Sequence, residues 1–265
     1  NLIEERKPDI VIPVDLSVFN LVAIACKSTP GTKVLYYIAP QAWAWRKNRA
    51  RKLSTITDGL AVIFPFEEEF FRSNGVNVRY VGHPFMENPP ENSGISWPPT
   101  RIALLPGSRH QEIKRILPVM TDAKSIVQER YPQITWHMRV APGLDAHVLG
   151  EMTHADVLVS NTLPAVDLAM VKSGTSSFEM AIMGVPEIIC YKTSPVNYLL
   201  ARAFVTVEHI GMPNIILGKT VVPELIQDDF SGKDLAEALL NYIENRSAFD
   251  GVRSAFSNLR EAMGK

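Results

Sequence analysis

Two glycine-containing turns in the second half of the sequence have the composition of an anion-binding site. The first is Pro106-Gly107-Ser108-Arg109, which follows the apolar run IALL and precedes a helical pattern. Glycine lets the backbone approach a ligand there, and the free amides of the next helix favour an anion. Arg109 adds a forked cation suited to phosphate oxygens. We predict that Gly107, Ser108 and Arg109 contact a phosphate, with a plain strand-to-helix turn and a surface arginine as the alternative.

The second turn is Ser173-Gly174-Thr175, which follows the apolar run LAMV and its Lys172. Hydroxyls and amides converge where the next helix starts, as an anion site requires. Glu179 falls in the first helical turns, where its carboxylate could accept hydrogen bonds from sugar hydroxyls. The alternative is a capping box, in which Thr175 or Ser176 caps the helix and Glu179 folds back on it.

A single acid, Asp15, ends the apolar run DIVIPVD near the start of the chain. An acid at the carboxyl end of a buried strand can act as a general base toward a ligand in a cleft. The sequence therefore makes Asp15 the catalytic candidate. A capping role at the next helix is the alternative.

The stretch AWAWRKNRARK, residues 42–52, combines tryptophans with a cluster of cations. An amphipathic helix of this kind can lie at a lipid interface or hold a phosphorylated acceptor. A solvated basic face is the alternative. The candidate residues for the acceptor or membrane role are Trp43, Trp45, Arg46 and Arg49.

Short apolar runs alternate with helix-length stretches along the chain, which is typical of buried parallel sheets. Ligands of such sheets collect at the carboxyl ends of the strands. This alternation of strands and helices is interrupted at residues 87–100, ENPPENSGISWPPT, whose four prolines indicate a linker. We expect two Rossmann-like α/β domains with a cleft between them, one over residues 1–92 and one over residues 93–265.

The composition excludes several classes of function. A net charge of -1 over 265 residues gives no sequence-wide attraction to nucleic acid. No apolar run approaches the ~20 residues that a membrane-spanning helix needs. The histidines and the two cysteines lack metal-ligand spacing, so we predict no metal, and the isolated cysteines fit a reducing, cytoplasmic protein.

Several stretches are specific in their combination and order, from about Lys7 to Gln227, although no single one is decisive. They are KPDIVIPVD, YYIAPQAWAWRKNR, FPFEEEFF, VRYVGHP, LLPGSRHQEI, KSGTSSFE and MPNIILGKTVVPELIQ. In these stretches the sequence resembles the lipid-A-disaccharide synthases, bacterial glycosyltransferases of the two-domain GT-B type.

The resemblance implies transfer of 2,3-diacylglucosamine from UDP to lipid X, which forms lipid A disaccharide 1-phosphate and UDP without a cofactor. It implies a cytoplasmic protein that is peripheral on the inner membrane, and a homodimer. Asp15 matches the proposed catalytic aspartate of the family, whereas Arg109 and Asn214 match residues implicated in activity. Ser173-Gly174-Thr175 and Glu179 match the nucleotide-sugar site.

The sequence also departs from the family pattern. The glycine-rich N-terminal segment and the distal C-terminal helix are missing, so we expect a fragment at both ends with an incomplete N-terminal domain. Val18 stands where the family has a second aspartate, and the stretch between Val159 and Asp167 is short. A helix that helps to wall the nucleotide pocket is therefore expected to be trimmed. Two alternatives stay open: another UDP-sugar GT-B enzyme, and a catalytically silent nucleotide-binding fragment.

Overall fold

The computed structural model describes residues 2–15, 30–45, 47–90, 92, 94–153, 156–195, 198–199, 202 and 207–264. The described chain forms two compact units. Unit 1 contains residues 1–87, 200–207 and 262–265, and unit 2 contains residues 88–199 and 208–261. Both units are built from parallel strands and helices, which confirms the predicted α/β class.

Unit 1 has a four-stranded parallel sheet in the order β1-β2-β3-β4. Its strands are β1 (Ile10–Val11), β2 (Lys33–Tyr37), β3 (Gly59–Val62) and β4 (Val78–Tyr80). Its helices are α1 (Leu2–Arg6), α2 (Ala42–Trp45), α3 (Lys47–Ile56) and α4 (Pro65–Ser73), with a 3-10 turn at Pro84–Met86. The core is apolar and includes the fully buried Tyr36, Val62 and Phe71. The helix expected after Asp15 lies outside the described residues.

Unit 2 has a six-stranded parallel sheet. Its strands are β5 (Arg101–Leu105), β6 (Thr135–Arg139), β7 (Val157–Ser160), β8 (Leu168–Lys172), β9 (Glu187–Tyr191) and β10 (Glu224–Ile226). Its helices include α5 (His110–Arg130), α6 (Ala146–Glu151), α7 (Thr175–Met183), α8 (Met212–Leu217) and α9 (Gly232–Glu244), followed by α10 (Arg246–Met263), whose last two residues belong to unit 1. The central strands are buried on both faces, which explains why they form continuous apolar runs in the sequence.

The strand order of unit 2 is β10-β9-β8-β5-β6-β7. Numbered from β5, this is the doubly wound order of Rossmann folds, in which the chain winds outward from the centre in both directions. The direction reverses between β5 and β8, which are neighbours in the sheet. Ligands of such sheets bind outside the carboxyl ends of the strands at this switch point. The turns that follow β5 and β8 are the two glycine turns of the sequence.

Residues 161–167, which join β7 to β8, contain no helix. This agrees with the short stretch noted in the sequence, and it leaves Asn161 at the rim of the cavity described below. At the end of the same connection, Asp167 is fully buried and accepts hydrogen bonds from the backbone amides of Ser96, Thr100 and Arg101. The Arg101 guanidinium also donates to it. The proline-rich stretch is thereby attached to the amino end of the unit 2 sheet.

Candidate functional site

A cavity of about 580 Å³ lies at the carboxyl ends of β5, β6 and β8 in unit 2. Both predicted turns line it, so the structure brings them together. The predicted residues on its wall are Gly107, Ser108, Arg109, Ser173, Gly174, Thr175 and Glu179. The wall also contains residues that the sequence had not singled out, namely Glu112, Arg139, Asn161 and Lys172. A cleft lined by backbone turns and several cations suits a small anionic ligand.

The first turn depends on Gly107, whose φ of +107° is rarely adopted by residues with a side chain. A Cβ atom there would lie 3.0 Å from the Glu112 Oε2 atom, so a side chain would also be crowded. Arg109 is the N-cap residue of α5 in an extended conformation, and the helix starts at His110. The amino end of this 21-residue helix therefore follows directly on the turn that lines the cavity.

The second turn depends on Gly174, the N-cap of α7, whose φ is +152°. Ser177 N donates to Gly174 O at 3.1 Å and starts the helix. The hydroxyl of Ser173 donates to the carbonyl of Ile210 at 2.8 Å, so this hydroxyl is engaged by the protein itself. Thr175 is exposed on the cavity wall. The capping box predicted as an alternative is replaced by an ion pair of Glu179 with Arg139.

Arg139 ends β6 and donates from both terminal nitrogens to the two carboxylate oxygens of Glu179. The Glu179 hydrogen bonds raise the pKa of the Arg139 guanidinium above its ordinary value. Arg139 Nη2 also lies 3.5 Å from Ser176 Oγ. This bidentate pair fixes the Glu179 side chain at the cavity wall. The sequence analysis did not select Arg139, and the feature that could have indicated it is a cation at the last position of a strand.

Two further cations share one carboxylate beside the first turn. Arg109 Nη1 donates to Glu112 Oε1 at 3.0 Å, and Lys172 Nζ lies 3.3 Å from the same oxygen. Lys172 is the last residue of β8, whereas Glu112 is in the first turn of α5. The three side chains therefore connect the two glycine turns electrostatically.

Asn214 is not among the residues that line this cavity. It is fully buried in α8, and its side chain holds the segment that leads to β10. Its Nδ2 donates to Val222 O at 2.9 Å and to Glu224 Oε1 at 2.8 Å. Its Oδ1 accepts from Val221 N at 2.7 Å and from Val222 N at 3.0 Å. The geometry thus gives Asn214 a positioning role, and direct contact with a nucleotide sugar remains a prediction.

Asp15 belongs to unit 1 and follows β1. Its φ is +52°, and its backbone is held because Tyr36 Oη donates to Asp15 O at 2.6 Å. Asp15 N donates to Tyr37 O at 3.1 Å. The run before it is not fully buried as expected, since Ile10 and Ile12 are about half exposed. The Asp15 side chain is exposed and can reach solvent or a ligand.

The structure corrects the expectation that Trp43 faces a membrane or an acceptor. Trp43 is only 8% exposed, its ring packs edge-on against Phe66 at 5.0 Å, and its Nε1 donates to Glu67 Oε1 at 3.1 Å. A buried indole N–H needs an acceptor, and Glu67 provides one. The predictions for Trp45, Arg46 and Arg49 concern side chains outside the described part of the chain.

Glu67 is itself buried, and burial raises its pKa to about 7, although hydrogen bonds from Trp43 and from the amides of Phe64 and Ile63 oppose the shift. His83, whose ring centroid lies 5.3 Å from that of Phe64, has its pKa lowered to about 4 by burial. This cluster is part of the interior of unit 1.

The described residues lack two kinds of feature. They contain no group of three or more His, Cys, Asp or Glu side chains that could hold a metal ion. Within the same part of the chain, no helix is both long and apolar enough to cross a membrane.

Solved structures with similar folds include MnaA of S. aureus in a complex with UDP, with a TM-score of 0.61 and 13% identity over 96% of this chain and 72% of that chain. The UDP-GlcNAc 2-epimerase of Neisseria meningitidis bound to UDP-GlcNAc gives a TM-score of 0.59 at 11% identity, over 98% of this chain and 77% of that one. The calicheamicin glycosyltransferase CalG4 gives 0.55 at 14% identity, over 99% and 74%. At these identities the likeness concerns the fold, which is of the GT-B type.

Sequence comparison identifies the family. The profile described as lipid-A-disaccharide synthetase matches residues 1–262. The lipid-A-disaccharide synthase of Anaeromyxobacter sp. (strain K) is 37% identical over 98% of this chain and 73% of its own length. The enzyme of Syntrophus aciditrophicus is 37% identical over 97% and 72%, and that of Nitrosococcus oceani is 34% identical over 100% and 73%. The chain therefore belongs to the lipid-A-disaccharide synthase family of glycosyltransferases, which act in lipid A biosynthesis.

Proposed function

We propose that this chain is an inverting glycosyltransferase that moves 2,3-diacylglucosamine from UDP to lipid X, forming lipid A disaccharide 1-phosphate and UDP. One structural observation carries the nucleotide part of the proposal. The turns around Gly107 and Gly174 line the same cavity at the switch point of the unit 2 sheet. Membership of the family supports the choice of the sugar donor and the lipid acceptor.

The cavity has the donors that a departing diphosphate needs. Arg109 and Lys172 are cations on its wall, and the amino ends of α5 and α7 both begin there. Fixed donors aimed at developing negative charge stabilise a transition state, each contributing roughly 3 kcal/mol. The solved structures with a UDP or a UDP-sugar, named above, support the choice of ligand.

Glu179 is the candidate for the sugar hydroxyls of the nucleotide sugar. A carboxylate accepts hydrogen bonds from hydroxyl groups, and Arg139 holds this one in a single orientation. A carboxylate whose rotamer is fixed loses less entropy when a ligand binds than a mobile one. Arg139 is therefore a positioning residue in this proposal.

Asp15 is the proposed general base. It removes the proton from the 6-hydroxyl of lipid X as that oxygen forms a bond to the anomeric carbon. The bond from the anomeric carbon to the UDP oxygen breaks, and its electron pair leaves with UDP. Attack from the face opposite to UDP inverts the anomeric centre and gives the β-1′,6 linkage. The exposed Asp15 carboxylate supports this role.

We propose further that the protein is a homodimer peripheral on the cytoplasmic face of the inner membrane. The acceptor and the acyl chains of the donor reside in a lipid surface, and the basic stretch of residues 46–52 would favour anionic lipids. Co-flotation with vesicles that contain anionic lipid, and light scattering for the mass in solution, test these two points separately. A monomer that stays off such vesicles would contradict both.

Turnover tests the central proposal. The protein should consume UDP-2,3-diacylglucosamine and release UDP only when lipid X is present. Asp15→Asn should bind UDP normally but lose turnover by about 10²-fold or more, because the base is gone. Asp9→Asn is the matched control, since Asp9 is an exposed acid at the other end of the same segment. Normal turnover by Asp15→Asn would remove Asp15 from the mechanism.

Binding tests the phosphate contact separately. Arg109→Ala should weaken UDP binding about tenfold in calorimetry, because a charge-assisted hydrogen bond is lost. Arg115→Ala removes an exposed arginine from the same helix and should leave the affinity unchanged. Binding of UDP without any turnover in the presence of both lipids would favour the catalytically silent alternative.

A further inference from the structure

The carboxylate of Glu112 lies between two cations of the cavity. Its Oε1 atom is 3.0 Å from Arg109 Nη1 and 3.3 Å from Lys172 Nζ. Its Oε2 atom lies over the first turn, 3.0 Å from where a Cβ of Gly107 would be. A protein anion is therefore placed against the backbone turn and the cations that we assign to the diphosphate.

Lys172 is held firmly in this arrangement. The same Cβ position on Gly107 lies 3.5 Å from Lys172 Cδ and 3.6 Å from Lys172 Cγ, so the lysine stem packs along the turn. Its side chain is 19% exposed and comes from the end of a central strand. Arg109 has a side chain that is 79% exposed and can reorient toward a ligand. Lys172 is thus the more fixed of the two cations.

We propose that Lys172 is a second diphosphate-binding cation and that Glu112 is an internal competitor for Arg109 and Lys172. The inference rests on the proposed function, since it concerns the same cavity. A bound diphosphate takes over both cations, and the Glu112 side chain moves toward solvent. A carboxylate carries one negative charge and UDP carries more, so UDP prevails at both cations. Uridine carries no phosphate and gains nothing from displacing Glu112.

The competition gives the site a function beyond affinity. Without a ligand, the negative charge of Glu112 offsets the repulsion between Arg109 and Lys172. Product UDP also leaves more readily, since Glu112 can take back the two cations as the diphosphate departs. Glu112 therefore lowers the affinity for UDP and speeds the release of UDP after the reaction.

Calorimetry with UDP and with uridine tests both assignments. Glu112→Gln should bind UDP about fivefold to tenfold more tightly than the unchanged protein, because the competitor loses its charge. Lys172→Met should bind UDP about tenfold or more weakly, because a charged contact is lost. Neither substitution should alter binding of uridine. Thermal unfolding by circular dichroism verifies that each variant is folded, and Lys172→Gln replaces Lys172→Met if the latter is not.

Matched controls exclude a general effect of net charge. Glu129→Gln and Lys114→Met change the same charges on α5 at exposed positions that do not line the cavity. Both should leave the UDP affinity unchanged. Glu112→Gln should raise the UDP affinity less in the Lys172→Met background than in the protein that keeps Lys172. The reason is that one of the two cations for which Glu112 competes is then absent.

Several results would overturn the inference. Weaker UDP binding by Glu112→Gln would mean that Glu112 holds the cations in place for the ligand rather than competing with it. Unchanged affinity in Lys172→Met would remove Lys172 from the diphosphate site. If the unchanged protein does not bind UDP, the proposed function fails by itself. Inorganic pyrophosphate then serves as the probe, and the same order of affinities among the variants is expected. A protein that does not bind pyrophosphate would contradict the inference.

Discussion

Leu105 and Val171 are paired in register on neighbouring parallel strands, β5 and β8. Each stands at or next to the end of its strand, and the turn that follows each of them carries a glycine with positive φ. This pairing makes two segments that are more than sixty residues apart in the sequence line one cavity. The candidate site thus depends on the register of two central strands.

The Gly174 turn provides the first prediction. Gly174→Ala should weaken UDP binding about tenfold, because alanine is strained at a φ of +152° and shifts the amides at the start of α7. Gly218→Ala is the control, since its φ is +63° and it does not line the cavity. Both variants should lose about 1 kcal/mol of unfolding free energy. Calorimetry should separate them, and equal UDP affinities would show that the Gly174 turn is not part of the site.

The ion pair of Arg139 with Glu179 is predicted to stabilise the folded protein. Arg139→Met should lower the free energy of unfolding by about 1–2 kcal/mol, because it leaves a mostly buried carboxylate without its cation. A double-mutant cycle with Glu179→Gln should give a coupling energy of similar size.

The exposed pair of Lys233 and Glu237 is the control for this cycle. Its side chains are 82% and 64% exposed, so the coupling should be about 0.3–0.5 kcal/mol or less. Urea denaturation measures both cycles. Equal coupling in the two pairs would contradict a fixed Glu179 side chain at the cavity wall.

Asn214 provides the third prediction. Asn214→Ala should lower the free energy of unfolding by about 2–4 kcal/mol, because the amides of Val221 and Val222 lose their acceptor in a buried place. UDP affinity, measured well below the unfolding temperature, should change less than about twofold. Asn241→Ala on the exposed side of α9 is the control and should be neutral. A large loss of affinity with unchanged stability would instead support direct contact with the ligand.

The raised pKa of Glu67 predicts that the stability of the protein depends on pH. In the folded protein its carboxyl keeps a proton up to about pH 7, whereas the ordinary pKa is 4.5. The folded state therefore binds more protons between these values, and its stability falls as the pH rises through this window. Glu67→Gln should remove this loss, which amounts to roughly 3 kcal/mol for a shift of this size.

His83 acts in the opposite direction, because its pKa is lowered from 6.5 to about 4. The unfolded state binds more protons between these values, so stability rises with pH there. The contributions of Glu67 and His83 therefore partly offset each other in the unchanged protein, and Glu67→Gln should remove the Glu67 contribution while leaving that of His83. Denaturant unfolding at pH 5 and pH 7.5 measures the difference. Glu69 is an exposed neighbour, so Glu69→Gln should have the same pH dependence as the unchanged protein. If the free energies of unfolding of Glu67→Gln and the unchanged protein differ by the same amount at both pH values, Glu67 is not a buried, protonated carboxyl.

The sequence predicted the sheets and the two turns well, because apolar runs that end in glycine and small polar residues follow local rules. The helical pattern predicted after Pro106-Gly107-Ser108-Arg109 is α5, which starts at His110. Arg139, Lys172 and Glu112 were missed, although each stands at a strand end or in a first helical turn. A single charge in such a place also fits an ordinary surface. Only the order of β6, β5 and β8 shows that these charges share one cavity.

Trp43 shows the limit of local patterns. Its basic neighbours indicated a surface, but its acceptor is Glu67, 24 residues further along the chain. Burial of an indole beside a carboxyl is a tertiary property that composition does not contain. The hydrogen bonds of Asn214 to the segment around Val222 are likewise a tertiary property that the sequence did not indicate, and its contact with a nucleotide sugar stays a prediction.

A crystal structure of the protein with bound UDP would show where the diphosphate lies. Both phosphates should occupy the cavity between the Gly107 and Gly174 turns, within hydrogen-bond distance of Arg109 and Lys172. The Glu112 carboxylate should have moved away from both cations. Phosphates bound elsewhere, or bound there with Glu112 still between Arg109 and Lys172, would contradict the proposed diphosphate site.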